Sequence, residues 1–384
     1  MPWRESCAMD ERVRFVAEWL CGDLSRTELC ERYGISRKTG YKWASRYACA
    51  GASGLAQRSH APLEHGRATP ADLVEKIVEL RRARPSWGSR KIVAKLGMLH
   101  PQLAWPSHST AHELLKQAGL VSDRRPRRRI PPYPGALAAA EAPNDVWAVD
   151  HKGWIRLGEG GRCEPLTLTD TYSRFLLAAS AGSSTRVGQA RPVMERAFRT
   201  YGLPRVIRSD NGQPFASAGV TGLSQLSVWW IKLGIHPERI APGKPQQNGR
   251  LERLHLTLLE AMQPPAQNRS AQARRLNAFR QDYNHERPHQ ALGQIPPAAF
   301  YAPSPRQMPR KLQDPDYPGG MITRRVRTNG EIKLRGASVH ISSALAGEGI
   351  AIEQIESGWR VWFYQEPIGL LDHTGQKLSP IQPG

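Results

Sequence analysis

A chain of 384 residues is too long for one ordinary core, and its 40% hydrophobic and 23% charged content excludes a disordered polymer, so two to four folded domains are expected. Its 54 Lys and Arg against 34 Asp and Glu leave a formal charge of +20, a field that draws polyanions and points first to nucleic acid. Five cysteines without a CxxC pair or zinc-like Cys/His spacing, no signal-peptide core and no bilayer-length apolar run exclude a disulfide scaffold, a zinc module and a membrane span, so the expected compartment is the cytoplasm.

The basic excess is spread along the chain. Residues 1–140 carry 24 Lys and Arg against 13 Asp and Glu, and residues 141–384 carry 30 against 21, so both halves are expected to meet DNA. The first segment, 8–50, reads as a helix-turn-helix. Val13, Phe15, Val16 and Leu20 mark one amphipathic helix, Ser25 to Tyr33 gives a second, Gly34-Ile35 turns, and Ser36 caps a third from Arg37 to Tyr47. That third helix presents Arg37, Lys38, Thr39, Lys42 and Arg46, side chains suited to phosphates and base edges in a major groove.

After a Gly/Ala/Ser-rich break at 50–70, a second helix-turn-helix-like unit is expected over 69–122, with helices at Ala71–Arg84, Ser86–Leu96 and Ala111–Ala118. A basic linker, 123–143, follows. Arg124, Arg125, Arg127, Arg128 and Arg129 fill five of six positions, a run that cannot bury itself and suits a phosphate backbone.

From Asn144 to 305 the pattern becomes mixed α/β. Val146–Ile155, Pro165–Asp170 and Arg174–Ala179 read as a three-stranded meander, followed by a helix at Val187–Tyr201, a strand at Arg205–Ser209 and helices around Leu251 and Phe279. The last segment, 320–378, is strand-rich. Asn329-Gly330 predicts a hairpin between Thr323–Thr328 and Glu331–Gly336, and with Gly349–Ile355 and Trp359–Tyr364 a small β-barrel is expected, with Arg324, Arg325, Arg327, Lys333 and Arg335 on a basic face.

Three carboxylates fall at informative places in the α/β segment. Asp150 lies within a strand, on the face of Val146 and Ala148, where a carboxylate needs a partner. Asp210 directly follows the strand ending at Ser209 and opens an Asp-Asn-Gly turn, at the strand end where reacting groups gather in open sheets. Glu252 begins a helix whose apolar stripe is Leu251, Leu254, Leu258 and Met262, and Lys244, Gln247, Asn248 and Arg250 precede it as candidate DNA contacts. Taken singly, each carboxylate has an ordinary reading as a turn former, a helix-start charge or a paired core group. Asp170 is the rival for the first position, but its Thr-Asp-Thr-Tyr-Ser setting favours turn formation or pairing with Arg174, and Tyr283 and His289 are expected to pack rather than catalyse.

Asn144-Asp-Val-Trp-Ala-Val-Asp150, Leu168-Thr-Asp-Thr-Tyr-Ser-Arg174, Arg208-Ser-Asp-Asn-Gly212 and Pro245-Gln-Gln-Asn-Gly-Arg-Leu-Glu252 resemble the integrase core of the DDE superfamily. Tyr283-Asn-His-Glu-Arg-Pro-His289 followed by Ala291-Leu-Gly293 resembles the closing motif of bacterial insertion-sequence transposases related to retroviral integrases. The resemblance covers about residues 10–305. It implies a ribonuclease-H-like fold with Asp150, Asp210 and Glu252 as a catalytic, metal-binding triad for two Mg²⁺ or Mn²⁺ ions, Asp150 shared and the others taking one each. It further implies cleavage and strand transfer on double-stranded DNA, assembly as a homo-oligomer on that DNA, and a nucleoid-associated bacterial protein. Hard cations prefer oxygen ligands, which fits three carboxylates better than Cys or His. The gap of 41 residues between Asp210 and Glu252 exceeds the family's usual spacing, and the extra length falls in the loop at 216–224, where insertion costs little. The competing readings are a regulator with an idle centre and a nuclease that cuts without joining.

Overall fold

A computed structural model describes residues 7–57, 68–121 and 137–381. The arginine run 124–129 lies outside the described residues. The chain separates into two compact units, residues 1–68 and 69–384.

The first unit holds α1 (Ala8–Cys21), α2 (Arg26–Arg32) and α3 (Arg37–Ala50). Ser25 and Glu28 cap α2 reciprocally, and Ser36 accepts the backbone N–H of Thr39 to start α3. Phe15, Val16, Trp19, Leu29, Cys30 and Leu55 form its core. Gly40 is the close-approach point of α3: a Cβ there would lie 2.7 Å from Cys30 Sγ and 3.1 Å from Phe15 Cζ. Gly40→Ala is therefore expected to destabilise this unit by about 1–3 kcal/mol through overpacking. A urea or thermal transition for helical signal that stays at the wild-type midpoint would show that the three helices re-space freely.

The second unit opens with α4 (Ala71–Ala83), α5 (Ser89–Leu99) and α6 (His108–Gln117), packed around Ile77, Trp87, Ile92, Leu96, Ala111 and Leu115. The mixed sheet follows: β1 (Val146–His151), β2 (Ile155–Arg156), β3 (Arg162–Asp170), β4 (Leu176–Gly182), α7 (Val187–Tyr201), β5 (Val206–Ser209), α8 (Gln225–Lys232) and β6 (His236–Arg239). β4, β3 and β1 are antiparallel neighbours, β5 and β6 continue from β1 in parallel, and β2 pairs with the start of β3. The strand expected over Val146–Ile155 is thus two strands, broken where Gly153 takes a positive φ of 83°.

Period-two alternation sorts β1. Trp147 and Val149 join Leu166, Leu168 and Ile207 under α7 and α8. Ala148 faces the other side, where α9 (Gly249–Ala261) and α10 (Arg269–Gln281) cover it with Leu251, Leu254, Leu258, Leu276 and Phe279. Asp150 shares the face of Ala148, so its carboxylate points to the α9 side.

The closing motif ties the unit together. Asn284, fully buried, accepts from the backbone N–H of Leu176 at 2.7 Å and donates to its carbonyl at 2.9 Å, completing the edge of β4. Tyr283 is buried with its ring against Phe279 and His289, the packing role expected for it. Asp282 pairs with Arg84 at 2.6 Å, Glu286 with Lys95, and Pro288 accepts from Lys91, so α4 and α5 are strapped to this one segment by side chains on both.

The C-terminal region comprises β7 (Ile322–Arg325), β8 (Glu331–Leu334), β9 (Ala337–His340), β10 (Gly349–Ile355), β11 (Gly358–Phe363), β12 (Glu366–Leu371) and β13 (Leu378–Ser379). The expected barrel is not closed. Among the described residues, β13-β12-β11-β10-β7 form an open five-stranded sheet, and the separate β8–β9 hairpin covers its core with Ile332, Leu334 and Val339. The predicted pairing across Asn329-Gly330 is also corrected. β7 is taken by β10, and the two-residue hairpin turn is Arg335-Gly336, with φ of 50° and 84°. Arg324, Arg325, Arg327, Lys333 and Arg335 are all exposed. No helix among the described residues is long and apolar enough to cross a membrane.

Candidate active site

Asp150 sits near the end of β1, opposite Thr167 of β3, with its side chain 24% exposed. Its carboxyl is pushed up to about 7, first by burial and then by the charges of Asp210 and Glu252, partly offset by the His151 backbone and Lys152. Three acidic groups separated in sequence therefore feel one another across β1, the β5 end and α9. Asp210 caps its own turn, accepting the Gly212 N–H at 3.1 Å, while Asn211 donates to the Ile240 carbonyl at 2.7 Å and fixes the loop. Glu252 is exposed in the first turn of α9, where the helix dipole favours a carboxylate.

As they stand, no three His, Cys, Asp or Glu side chains among the described residues gather closely enough to hold an ion between them. Burial is the main reason the Asp150 carboxyl is raised, and the charges of Asp210 and Glu252 add to it.

His255, one turn along α9 from Glu252, was not foreseen, although its i,i+3 spacing from the glutamate places it on a neighbouring helix face. Its Nε2 lies 2.7 Å from Thr167 Oγ1, and its Nδ1 stands 3.7 Å from Asp150 Oδ2. Burial pulls the imidazole down to about 4, so the contact with Asp150 is a neutral ring beside a carboxylate and not an ion pair. Thr167 Oγ1 also lies 3.2 Å from the Asp150 backbone carbonyl.

Asp170 is elsewhere. Fully buried, it accepts from the backbone N–H groups of Asn144 at 2.8 Å and Ser173 at 2.7 Å and from the Ser173 hydroxyl, holding the β3–β4 turn. Of its two expected roles, turn formation is what the hydrogen bonds show, and Arg174 lines a neighbouring cavity. Before Glu252, Gln247 accepts the Ala241 N–H at 2.6 Å, and Asn248 is buried. Arg250 donates to the Thr171 carbonyl at 3.0 Å, and Lys244 is half-buried. In the first unit Arg37, Lys38 and Lys42 are exposed on α3, Thr39 is engaged with the Ser36 cap, and Arg46 lies over the Trp43 ring at 5.1 Å.

Comparison with known proteins bears on these features. Two models described as "Integrase core domain" match residues 140–245 and 233–297. A "Helix-turn-helix domain" matches 11–62, a "Homeodomain-like domain" 39–115, and "IS481 family transposase, C-terminal domain" 321–379. A protein of insertion element IS407 from Burkholderia multivorans is 30% identical over 233 residues, covering 60% of this chain and 80% of that protein. One of insertion element IS476 from Xanthomonas euvesicatoria is 31% identical over 266 residues, covering 67% and 72%. The Gag-Pol polyprotein of koala retrovirus is 27% identical over 129 residues, 34% of this chain and 7% of the polyprotein. Among solved structures, a simian T-cell lymphotropic virus intasome in complex with a PP2A regulatory subunit matches 80% of this chain and all of the matched one at 16% identity and a TM-score of 0.38. The HTLV-2 integrase catalytic core in complex with magnesium matches 42% and 99% at 16% identity and a TM-score of 0.32. These structural likenesses are loose; the sequence matches are not, and by them the chain belongs to the bacterial insertion-sequence transposases, enzymes related to retroviral integrases.

Proposed function

We propose that Asp150, Asp210 and Glu252 form the catalytic centre of this transposase and together hold divalent metal, Mg²⁺ or Mn²⁺, on a ribonuclease-H-like core. What supports the reading is that the Asp150 carboxyl, raised chiefly by burial, also feels the charges of Asp210 and, more weakly, Glu252, a repulsion that a cation among them would relieve. The donor set fits hard cations, being all carboxylate oxygen. With two ions bound, Asp150 would serve both, Asp210 one and Glu252 the other. Bound there, the metal would supply Lewis-acid activation of an attacking oxygen and shielding of the leaving one.

The chain's own groups do the positioning. The Asn211 bond to Ile240 holds Asp210 at the strand end, the α9 stripe anchors Glu252 above the sheet, and His255 stands beside Asp150. Water attacks the phosphodiester at the element's end and leaves a 3′-hydroxyl. That hydroxyl then attacks a phosphodiester of target DNA. Each step exchanges one P–O bond for another, so no external energy source is needed.

Residues 8–50 and 69–122 read the element ends, 144–305 carry the chemistry, and 320–378 add a basic surface for DNA or a neighbouring protomer. Arg37, Lys38 and Lys42 meet the duplex directly. Joining two ends to one target needs more than one centre, which makes the working form a homo-oligomer on DNA.

Incubation of the purified chain with Mg²⁺ and labelled element-end duplex tests the reading. Nicked and joined products are expected. Nicking without joining would leave a nuclease, and a mobility shift without cleavage a regulator.

A further inference from the structure

Five cations line one cavity of about 400 Å³: Lys91 of α5, Arg174 before β4, Arg250 and Arg253 of α9, and Arg287 of the closing motif. Among the described residues, no Asp or Glu is in its wall. Of the acidic side chains nearby, Asp282 pairs with Arg84 and Glu286 with Lys95, while Asp170 acts on Arg174 and Asp282 and Glu260 act on Arg287 from outside the wall. The hydrogen bonds these cations make go to neutral acceptors that aim them without neutralising them: Lys91 to the Pro288 carbonyl, Arg250 to the Thr171 carbonyl, Arg287 to Ser86 Oγ. Burial, and after it the repulsion of Arg250, pulls Arg174 down to about 10. Burial, Arg287 and Arg253 pull Lys91 down to about 8. Cations crowded around a cavity whose wall holds no carboxylate are costly, and an arriving anion lowers that cost. Guanidinium forks converging from separate elements match the tetrahedral oxygens of phosphate.

We propose that this cavity is a phosphate-binding site that grips a phosphate group of a DNA strand, with Arg174, Arg253 and Arg287 contributed by the core and Lys91 by the α4–α6 unit. The location makes DNA the source of that phosphate. Arg250 and Arg253 flank Glu252 on α9, and Arg250 also lines the adjoining cavity that reaches Ala148 of β1. A strand held here passes beside the candidate catalytic helix. The inference rests on the family's action on DNA, and it stands apart from the carboxylate assignment.

The test is equilibrium binding of the full chain, in EDTA so that nothing is cut, to a fluorescent duplex ending in either a 5′-phosphate or a 5′-hydroxyl. Arg253 is exposed, so Arg253→Gln spares the fold. It is expected to weaken binding about tenfold at low salt and to lower the slope of log affinity against log salt by about one. Arg174→Gln should do the same, and Arg253→Lys should keep most of the slope. Loss on both duplexes assigns the site to an internal phosphodiester, and loss confined to the 5′-phosphate duplex assigns it to a strand end. Arg196→Gln, exposed on α7 across the sheet, removes equal charge from outside the cavity. If the cavity variants bind like wild type, or lose no more than Arg196→Gln, the site does not exist. The measurement is blind to catalysis, so its failure and that of the carboxylate reading are separable.

Discussion

Asp150→Asn should bind element-end DNA as wild type does and neither nick nor join it. The expected loss exceeds the roughly 100-fold typical when only a supporting partner of a metal ligand is removed. Asp210→Asn and Glu252→Gln should match it, as the proposed triad requires of three residues acting as one unit. The Asp150 variant carries a second signature. In the wild type, burial first of all pushes the Asp150 carboxyl from the ordinary 3.8 up to about 7, so the folded state disfavours the ionised form. That penalty is absent below the unfolded value, grows as pH rises between the two and is full above about 7. Without metal, Asp150→Asn should therefore be as stable as wild type or more so above pH 7, the mark of a group kept for chemistry at some expense to the fold. Cleavage at wild-type rate by any of the three variants would sink the assignment, and so would a shift in DNA affinity that accounts for the lost products.

Asp170→Ala should show the reverse. It strips the acceptor from two buried backbone N–H groups and a hydroxyl. At about 1–3 kcal/mol for each group left unsatisfied, the variant is expected to lose about 3 kcal/mol or more. The loss would be read as a lower denaturant midpoint at unchanged slope. Activity per folded molecule should survive at low temperature. Wild-type stability with abolished cleavage would instead make Asp170 the first catalytic carboxylate.

These opposed behaviours were legible because the two aspartates occupy different local settings, one mid-strand on a helix-covered face and one at a turn. Other features left weaker traces. β6 runs His236-Pro-Glu-Arg239 with no apolar alternation; it becomes a strand because it pairs in parallel with β5, where Glu238 meets Arg208 at 2.6 Å. α8 is buried from Leu226 through Ile231, so it has no polar face for a period to reveal. At Asn329-Gly330 the local reading was sound, since the Gly330 N–H reaches back to the Arg327 carbonyl, but the strands beyond it part to other neighbours. Pairing partners depend on chain far away, and a dipeptide cannot name them. The cationic cavity was hidden for the same reason. Lys91, Arg174, Arg253 and Arg287 look like scattered surface charge until the fold assembles them.

The straps between α4–α5 and residues 282–288 carry a metrical consequence. A reading unit on a free tether samples many offsets from the scissile bond, whereas one bolted to the catalytic body acts as a ruler. If α4–α6 read DNA as proposed, the break would fall a constant number of nucleotides from the bases they engage, and loosening the bolts at Arg84 or Lys95 would blur the position of the cut before it slowed the cutting.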